Sequence, residues 1–389
     1  MRISVRVCHF TSGHDSRDSR VYEKQCRTLS SAGYDVYLVT PDGCAEIRDG
    51  VVVMSIPRLP GGRFIRISLK GLFVFQRALR VNADIYQFHD PELLPYGLVL
   101  KLLGKKVVFD SHEDTPADIQ DKQWIPKFLR NTVSVIYAAL ERFCCRRFDA
   151  VFCVTPHIVD RIRKTNSHTL LLTNYPKLPT SIPAADVKRR KIRSAASFCF
   201  IGRISPESNH ELIVSALARF PRATYTMAGP VSENYLKILK AMPAGEQIVY
   251  HGEIDFSENE EFLARHVAGF QLTGYIKNYG GKIGSLGNTK LFTYMINALP
   301  VICTDFVLWR EIVEKHSCGI AVDASSIDSV SDAIDRIMSN PTAALEMGES
   351  GRRAVFQEYN WTSQEPTLLS EYSRISASVI RSNARAKRG

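Results

Sequence analysis

The residues of this chain best suited to chemistry stand in short clusters, each directly after an apolar run of strand length. After the first run come His9, Thr11, Ser12, Gly13, His14 and Asp15. Further on stand His89-Asp90-Pro91-Glu92 and then Asp110-Ser111-His112-Glu113-Asp114. Histidines and carboxylates so placed can orient a hydroxyl group or take its proton, and Glu113 or Asp90 would be the base. The plainer alternative is structural: a histidine satisfied inside the fold, and Asp or Ser capping the segment that follows. The second half carries Gly202-Arg203, Ala228-Gly229-Pro230 and His251-Gly252-Glu253. A loop with four glycines from Gly280 to Gly287 then runs into Asn288-Thr289-Lys290. Glycines before a helix start let a ligand approach the backbone, and free N–H groups with the helix dipole favour an anion there. Asn288 or Thr289 can cap the helix, Lys290 adds a positive charge, and the Arg203 fork suits two phosphate oxygens. Arg203, Gly284, Gly287, Asn288, Thr289 and Lys290 together read as a diphosphate site, and the loops at Gly229 and Gly252 would border the rest of the bound ligand. Their bland reading is a set of turns, a solvated Arg and a flexible connector.

The elements that must position these clusters alternate. Strands are expected at Ile3–Val7, Asp35–Thr40, Val51–Ile56, Asp84–Phe88, Lys106–Asp110, Ala150–Val154 and Thr169–Thr173. Helical stretches lie between most of them, among them Val21–Ala32 with Gly33 as its C-cap. The plan repeats at Ser197–Ile201, Ala223–Met227, Gln247–His251, Gly269–Leu272, Val301–Thr304 and Gly319–Val322. Short apolar strands separated by helices imply parallel sheets covered on both faces. A length of 389 residues implies about two domains. Pro176 through Arg193, rich in proline and then in basic residues, has the composition of a linker. The expectation is an α/β protein of two Rossmann-like, doubly wound domains facing a central cleft, where open α/β sheets bind ligands beyond the strand ends. The domains would span 1–180 and 194–361.

Composition narrows the function classes. Nine scattered cysteines with no CxxC or zinc spacing point to reduced thiols and a cytoplasmic setting, and no metal site is expected. The longest nearly uncharged apolar run, Thr132 to Leu140, is far too short to span a membrane. The start reads as a strand rather than a signal peptide. Charge is uneven: residues 1–180 carry a net +8 and residues 194–374 a net −6, within a total of +10. The basic half therefore faces something anionic. No nucleic-acid module is recognisable, which favours an anionic membrane surface or a lipid diphosphate over nucleic acid. Two basic, aromatic stretches, Arg63 to Arg80 and Trp124 to Arg130, would either pack as helices with a solvated basic face or settle on lipid headgroups.

Taken in order, these motifs resemble a GT-B glycosyltransferase of family four over nearly the whole chain. The resemblance rests on Asp18-Ser19-Arg20, Gly33-Tyr34-Asp35-Val36, His89-Asp90-Pro91, Asp110-Ser111-His112-Glu113, Phe200-Ile201-Gly202-Arg203, Ala228-Gly229-Pro230, the Asn288–Met295 run and Tyr359-Asn360-Trp361. It implies a UDP- or GDP-linked sugar donor held mainly by the second domain, and a glycan or lipid-linked acceptor held by the first. It also implies a C-terminal helix, 362–380, crossing back to the first domain, and retention of anomeric configuration. A histidine matching His89 would touch the donor sugar. Two glutamates usual in the family are replaced, by Ser285 and Thr293 where the chain aligns, and Ser208-Asn209 stands where a phosphate-binding lysine is usual, a charge that Lys282 or Lys290 would supply instead. The resulting expectation is a cofactor-free glycosyltransferase of polysaccharide biosynthesis, cytoplasmic and peripheral on the inner face of the membrane. Its catalytic residues would be His89, Asp90 and Glu113, and Gly13 would help to bind substrate. The alternatives are a degenerate relative that binds a sugar nucleotide or a partner without turnover, and an epimerase of the same fold.

Overall fold

The computed structural model describes residues 5–57, 69–122, 124–179, 196–254 and 258–386. The chain divides into two compact units, Met1–Asn174 with Trp361–Gly389, and Tyr175–Asn360.

The first unit is built on an eight-stranded sheet. Its strands are β1 (Arg6–Phe10), β2 (Asp35–Thr40), β3 (Glu46–Arg48), β4 (Val51–Ser55), β5 (Ile85–Phe88), β6 (Lys106–Ser111), β7 (Ala150–Cys153) and β8 (Thr169–Leu171), in the order β3-β4-β2-β1-β5-β6-β7-β8. All pairs are parallel except β3 with β4. The helices are α1 (Arg27–Ser31), α2 (Gly71–Val81), α3 (Leu94–Leu102), α4 (Thr115–Asp121), α5 (Lys127–Cys145) and α6 (Pro156–Arg163). Every residue of β5 and β7 is buried, as expected of strands covered on both faces. The chain moves outward from β1 through β2 to β4, then returns to β5 on the other side of β1. The sheet reverses its direction of growth between β1 and β5, which is where open α/β sheets bind ligands.

The second unit carries a six-stranded, all-parallel sheet in the order β11-β10-β9-β12-β13-β14. Its strands are β9 (Ser197–Ile201), β10 (Thr224–Ala228), β11 (Ile248–Gly252), β12 (Ala268–Gln271), β13 (Val301–Thr304) and β14 (Gly319–Val322). The reversal here lies between β9 and β12. The helices are α7 (His210–Leu217), α8 (Glu233–Lys240), α9 (Asn259–Leu263), α10 (Lys290–Ile296), α11 (Val307–Lys315), α12 (Ile327–Ser339) and α13 (Pro341–Gln357). Ser232, Ser326 and Asn340 cap α8, α12 and α13 through their side chains.

The last helix, α14 (Glu365–Ala386), packs on the first unit. Leu368, Tyr372, Ile375 and Val379, spaced four, three and four apart, sit in one core with Val7, Leu29, Val36 and Leu38. Trp361 Nε1 donates to Thr28 Oγ1 at 2.9 Å just before the helix begins.

Several sequence expectations shift. The first strand is Arg6–Phe10, and Ile3 and Ser4 lie outside the described residues, as do 58–68 and 180–195. The antiparallel edge strand β3 is too short and polar to announce itself. The single helix expected over Val21–Ala32 is instead a wide π-type turn, Val21–Cys26, continued by α1. Five-residue bonds, Glu23 N to Asp18 O and Gln25 N to Arg20 O, wind it open. Gly33, at φ +90°, terminates it as expected.

Candidate functional site

In the first unit the polar clusters meet around Asp110 at the end of β6. Its carboxylate is fully buried and accepts from five donors. Arg20 donates Nε at 3.0 Å and a terminal nitrogen at 2.6 Å, and Gln25 donates Nε2 at 2.6 Å. His89 Nδ1 and His112 Nε2 lie at 3.1 and 3.0 Å. The open winding of Val21–Cys26 brings both Arg20 and Gln25 to this one carboxylate. Burial alone would raise the Asp110 carboxyl. Arg20, then His112 and His89, overcome that and hold it well below the carboxylate range.

His89 is locked. Its side chain is fully buried, with Nδ1 on Asp110 and Nε2 3.1 Å from His9 Nδ1. Burial lowers the His89 pKa against the pull of Asp110, and burial with His89 nearby lowers that of His9 much further, so both rings are neutral at pH 7. With the His89 Nδ1 proton on Asp110, His9 donates to His89 Nε2 (a tautomer inferred from the bonding pattern). Tyr372 of α14 lies 3.3 Å from His9 Nε2 and donates to Gln87 Oε1 at 2.7 Å, while Gln87 Nε2 donates to Gln25. Six side chains from five segments close a ring around the reversal between β1 and β5. Both ring nitrogens of His89 are thus engaged inside this buried ring of side chains.

The accessible rings are His112 and His14, with side chains 18% and 28% exposed and ring centroids 4.8 Å apart. Sequence reasoning left both out of the named site, although each stands beside a chosen residue. His14 Nδ1 bonds Asp18 at 2.9 Å. Burial lowers the His14 pKa, but Asp18 and then Asp90 raise it, for a net rise to about 9. Glu113 opens to solvent beside His112, and its carboxyl is raised, first by the water its neighbours displace and then by Asp118.

Asp90 is a structural anchor in this arrangement. It is buried and accepts from the Thr11 hydroxyl at 2.7 Å and the Ser12 N–H at 2.8 Å. Gly13 leaves room for it: a Cβ there would come within 2.6 Å of Asp90 Oδ1, so the Asp90 side chain would have to shift. Asp90 and Gly13 thus shape the turn after β1 together. Potential ligand atoms of His89, Asp110 and His112 lie within 4.8 Å of one another, a spacing a metal could also use. The Arg20 guanidinium and Gln25 already fill the coordination of that carboxylate and supply its balancing charge, so the donor set fits a hydrogen-bonded anion better.

In the second unit, glycines crowd the ends of β9, β10 and β11. Gly202 has φ +115° and Gly229 φ +133°, and a Cβ on Gly229 would fall 2.1 Å from Gly202 O. Gly252, at φ +93°, accepts the Gly229 N–H at 2.8 Å. Lys290 reaches back against Gly202, whose Cβ would meet Lys290 Cε at 2.5 Å. Its ammonium lies 5.5 Å from the Phe200 ring centroid, and no ion pair engages it or Arg203 among the described residues. Burial lowers the Lys290 pKa, and burial followed by the Lys290 charge lowers His210 to about 3. Lys290 is thus a partly dehydrated cation with no counterion among the described residues, at the reversal between β9 and β12.

The loop before it is more self-satisfied than the sequence implies. Gly287 N donates to Ser285 Oγ at 3.1 Å and Lys290 N to Asn288 Oδ1 at 3.2 Å. Thr289 precedes α10 without a side-chain capping bond, and α10 is only seven residues long. Gly284, at φ +89°, is fixed by Phe306, whose Cβ a side chain there would meet at 2.5 Å. Ser285 O accepts from Trp309 Nε1 at 2.8 Å, and the Thr293 hydroxyl donates to Thr289 O at 3.0 Å. The two positions that carry glutamates in the resemblance thus bond within the loop and helix.

Comparison with known proteins agrees with this architecture. The sequence model of Glycosyltransferase Family 4 matches residues 19–168, and that of Glycosyl transferases group 1 matches residues 181–354. A GDP-mannose-dependent alpha-(1-6)-phosphatidylinositol monomannoside mannosyltransferase of Mycobacterium tuberculosis is 23% identical over 182 residues, 45% of this chain and 46% of the relative. The chain thus spans about half the length of the curated relatives it matches. Sucrose-phosphate synthase from Thermosynechococcus elongatus superposes with a TM-score of 0.77 at 15% identity, covering 96% of this chain and all of that one. The Anabaena protein HepE in complex with UDP-glucose gives 0.67 at 12% identity, over 95% and 99% of the two chains. These likenesses establish the GT-B fold, and the two sequence matches, which together cover most of the chain, place it in the group 1 glycosyltransferases of family four.

Proposed function

We propose that this protein transfers a sugar from a UDP- or GDP-linked donor to a glycan or lipid-linked acceptor, with retention at the anomeric carbon. The observation that carries the reading is Lys290 packed against Gly202 and Phe200, with Arg203 one residue on, and no counterion engaging either cation among the described residues. A partly dehydrated ammonium without a carboxylate partner suits a diphosphate. The HepE complex with UDP-glucose and the GDP-mannose-dependent relative supply the two candidate nucleotides.

In this reading the second unit binds the donor. Lys290 and Arg203 neutralise the charge that grows on the diphosphate as its bond to the anomeric carbon breaks. The nucleoside diphosphate leaves, and the acceptor oxygen forms the new glycosidic bond. Its proton passes to Glu113, whose raised pKa suits a base, or to the departing phosphate. The first unit supplies the acceptor side, with His112 as the open ring held on the Asp110 network. His89 and Asp90 position that network. A lipid-linked acceptor would bring the reaction to the cytoplasmic face of a membrane.

The test is nucleotide release from a panel of UDP- and GDP-sugars by the purified protein, with and without acceptor glycans. Lys290→Ala and Arg203→Ala should each weaken donor binding about tenfold or more, since a charge-assisted phosphate contact contributes ~1.5–3 kcal/mol. Donor binding without release under any condition would support the second reading, a binder that has lost turnover. That reading is favoured by the local bonding of Ser285 and Thr293 where carboxylates are usual.

A further inference from the structure

Helix α5 is built inside out. Its buried side carries Ser134, Glu141, Cys144 and Cys145, with Ser134 donating to Pro116 O at 2.6 Å and Glu141 paired to Arg161. Its outward side carries Phe128, Leu129, Val135, Ile136, Leu140 and Phe143. Phe128 is 80% exposed, Ile136 63% and Val135 60%. At 3.6 residues per turn, these side chains with Thr132, Val133 and Ala139 fill an unbroken arc of about 160°. A packed surface helix shows the opposite pattern, with apolar residues inward. Helix α3, which packs on α5, adds Leu102 at 86% exposure and Leu103 beside Lys101 and Lys105.

The exposed charge of α5 itself and of the two residues after it is one-sided, while Lys101 beside it is paired with Asp149. Lys127, Arg142 and Arg146 are exposed, and the Arg147 guanidinium lies 3.6 Å from the Phe143 ring centroid. The only carboxylate of the helix, Glu141, is buried and neutralised. A second copy seated on this face in an isologous dimer would bring like charges together with no acid of the helix to answer them. An anionic lipid surface meets both requirements, taking the apolar arc into the headgroup boundary and the basic residues onto phosphates.

We propose that the outward face of α5 is the membrane-docking surface of this protein and binds bilayers rich in anionic phospholipid. This rests on the lipid-linked acceptor reading above and names where the protein meets that lipid. It extends the lipid-headgroup reading of the Trp124–Arg130 stretch to the aromatic and aliphatic residues that follow it and face out.

Flotation with phosphatidylcholine vesicles, with and without about one-third phosphatidylglycerol, tests the proposal. The protein should float with the anionic vesicles, less so at high salt, and remain behind with the neutral ones. Phe128→Ser with Ile136→Ser should cut the bound fraction about tenfold, and Arg142→Gln with Arg146→Gln several-fold, without lowering the thermal midpoint. Equal binding to neutral vesicles, no binding to anionic ones, or wild-type binding by the serine variant would overturn it. So would a wild-type dimer in sedimentation that Ile136→Ser turns into a monomer, for the face would then pair copies of the chain. Nucleotide release with a water-soluble acceptor is measured on the same variants. A failed transferase reading shows there as absent turnover, whatever the vesicles report.

Discussion

Asp110 is the residue on which the first unit's chemistry turns. One buried carboxylate fixes Arg20, Gln25, His89 and His112 at once. Asp110→Ala leaves the Arg20 guanidinium buried and unpaired, which costs about 3–5 kcal/mol; the urea midpoint should fall accordingly. Asp110→Asn, closer in shape, should fold better yet lose transfer activity, because the amide cannot accept from both imidazoles and the guanidinium. His14 gives a pH signature. Its folded pKa, about 9, lies above the ordinary 6.5, so its stabilising effect is complete below pH 6.5 and drains away as pH rises through 9. Asp18 is shifted the other way, so its share is present above pH 3.8 and lost in acid. Unfolding free energies of wild type and His14→Gln should therefore converge by roughly 1–2 kcal/mol between neutral and alkaline pH. A gap that widens over that range would refute the assignment.

At the scale of elements, the strand ends of the second unit are set by backbone approach more than by side chains. Gly229 and Gly252 both have positive φ, but only Gly229 meets backbone, at 2.1 Å, while a Cβ on Gly252 meets nothing within 4 Å. Gly252→Ala should cost only the strain of its conformation, about 1–2 kcal/mol. Gly229→Ala should cost clearly more and also weaken donor binding, because Gly202 and the Lys290 side chain packed on it must move. Thermal unfolding and nucleotide titration of the two variants, side by side, check this ordering.

At the scale of the molecule, the chain's end belongs to its beginning. Residues 361–386 pack in the core of the unit formed by residues 5–174, and the other unit has its own core. Truncating Ile375 to Ala in that shared core should destabilise the first unit by about 2–5 kcal/mol. Calorimetry should show one of two transitions falling while the other holds. Tyr372→Phe leaves Gln87 Oε1 without its hydroxyl donor and should cost about 1–3 kcal/mol in the same transition.

The strands were legible in the sequence because a parallel strand covered on both faces must be largely apolar: Ser197–Ile201 and Val301–Thr304, buried throughout, fall where their composition puts them. Family membership was legible too, since it lies in short motifs whose spacing the fold preserves. The partners of each polar residue were not. Gln25 meets Asp110 across 85 residues of chain and Tyr372 meets Gln87 across 285, and no local pattern encodes such pairings. That is why neither the enclosure of the His89 ring nor the greater exposure of His112 can be read from the sequence. The α5 segment shows the same limit. Periodicity reveals that a helix has an apolar side, but the packing of Glu141 on Arg161 and Ser134 on Pro116 decides that this side faces out.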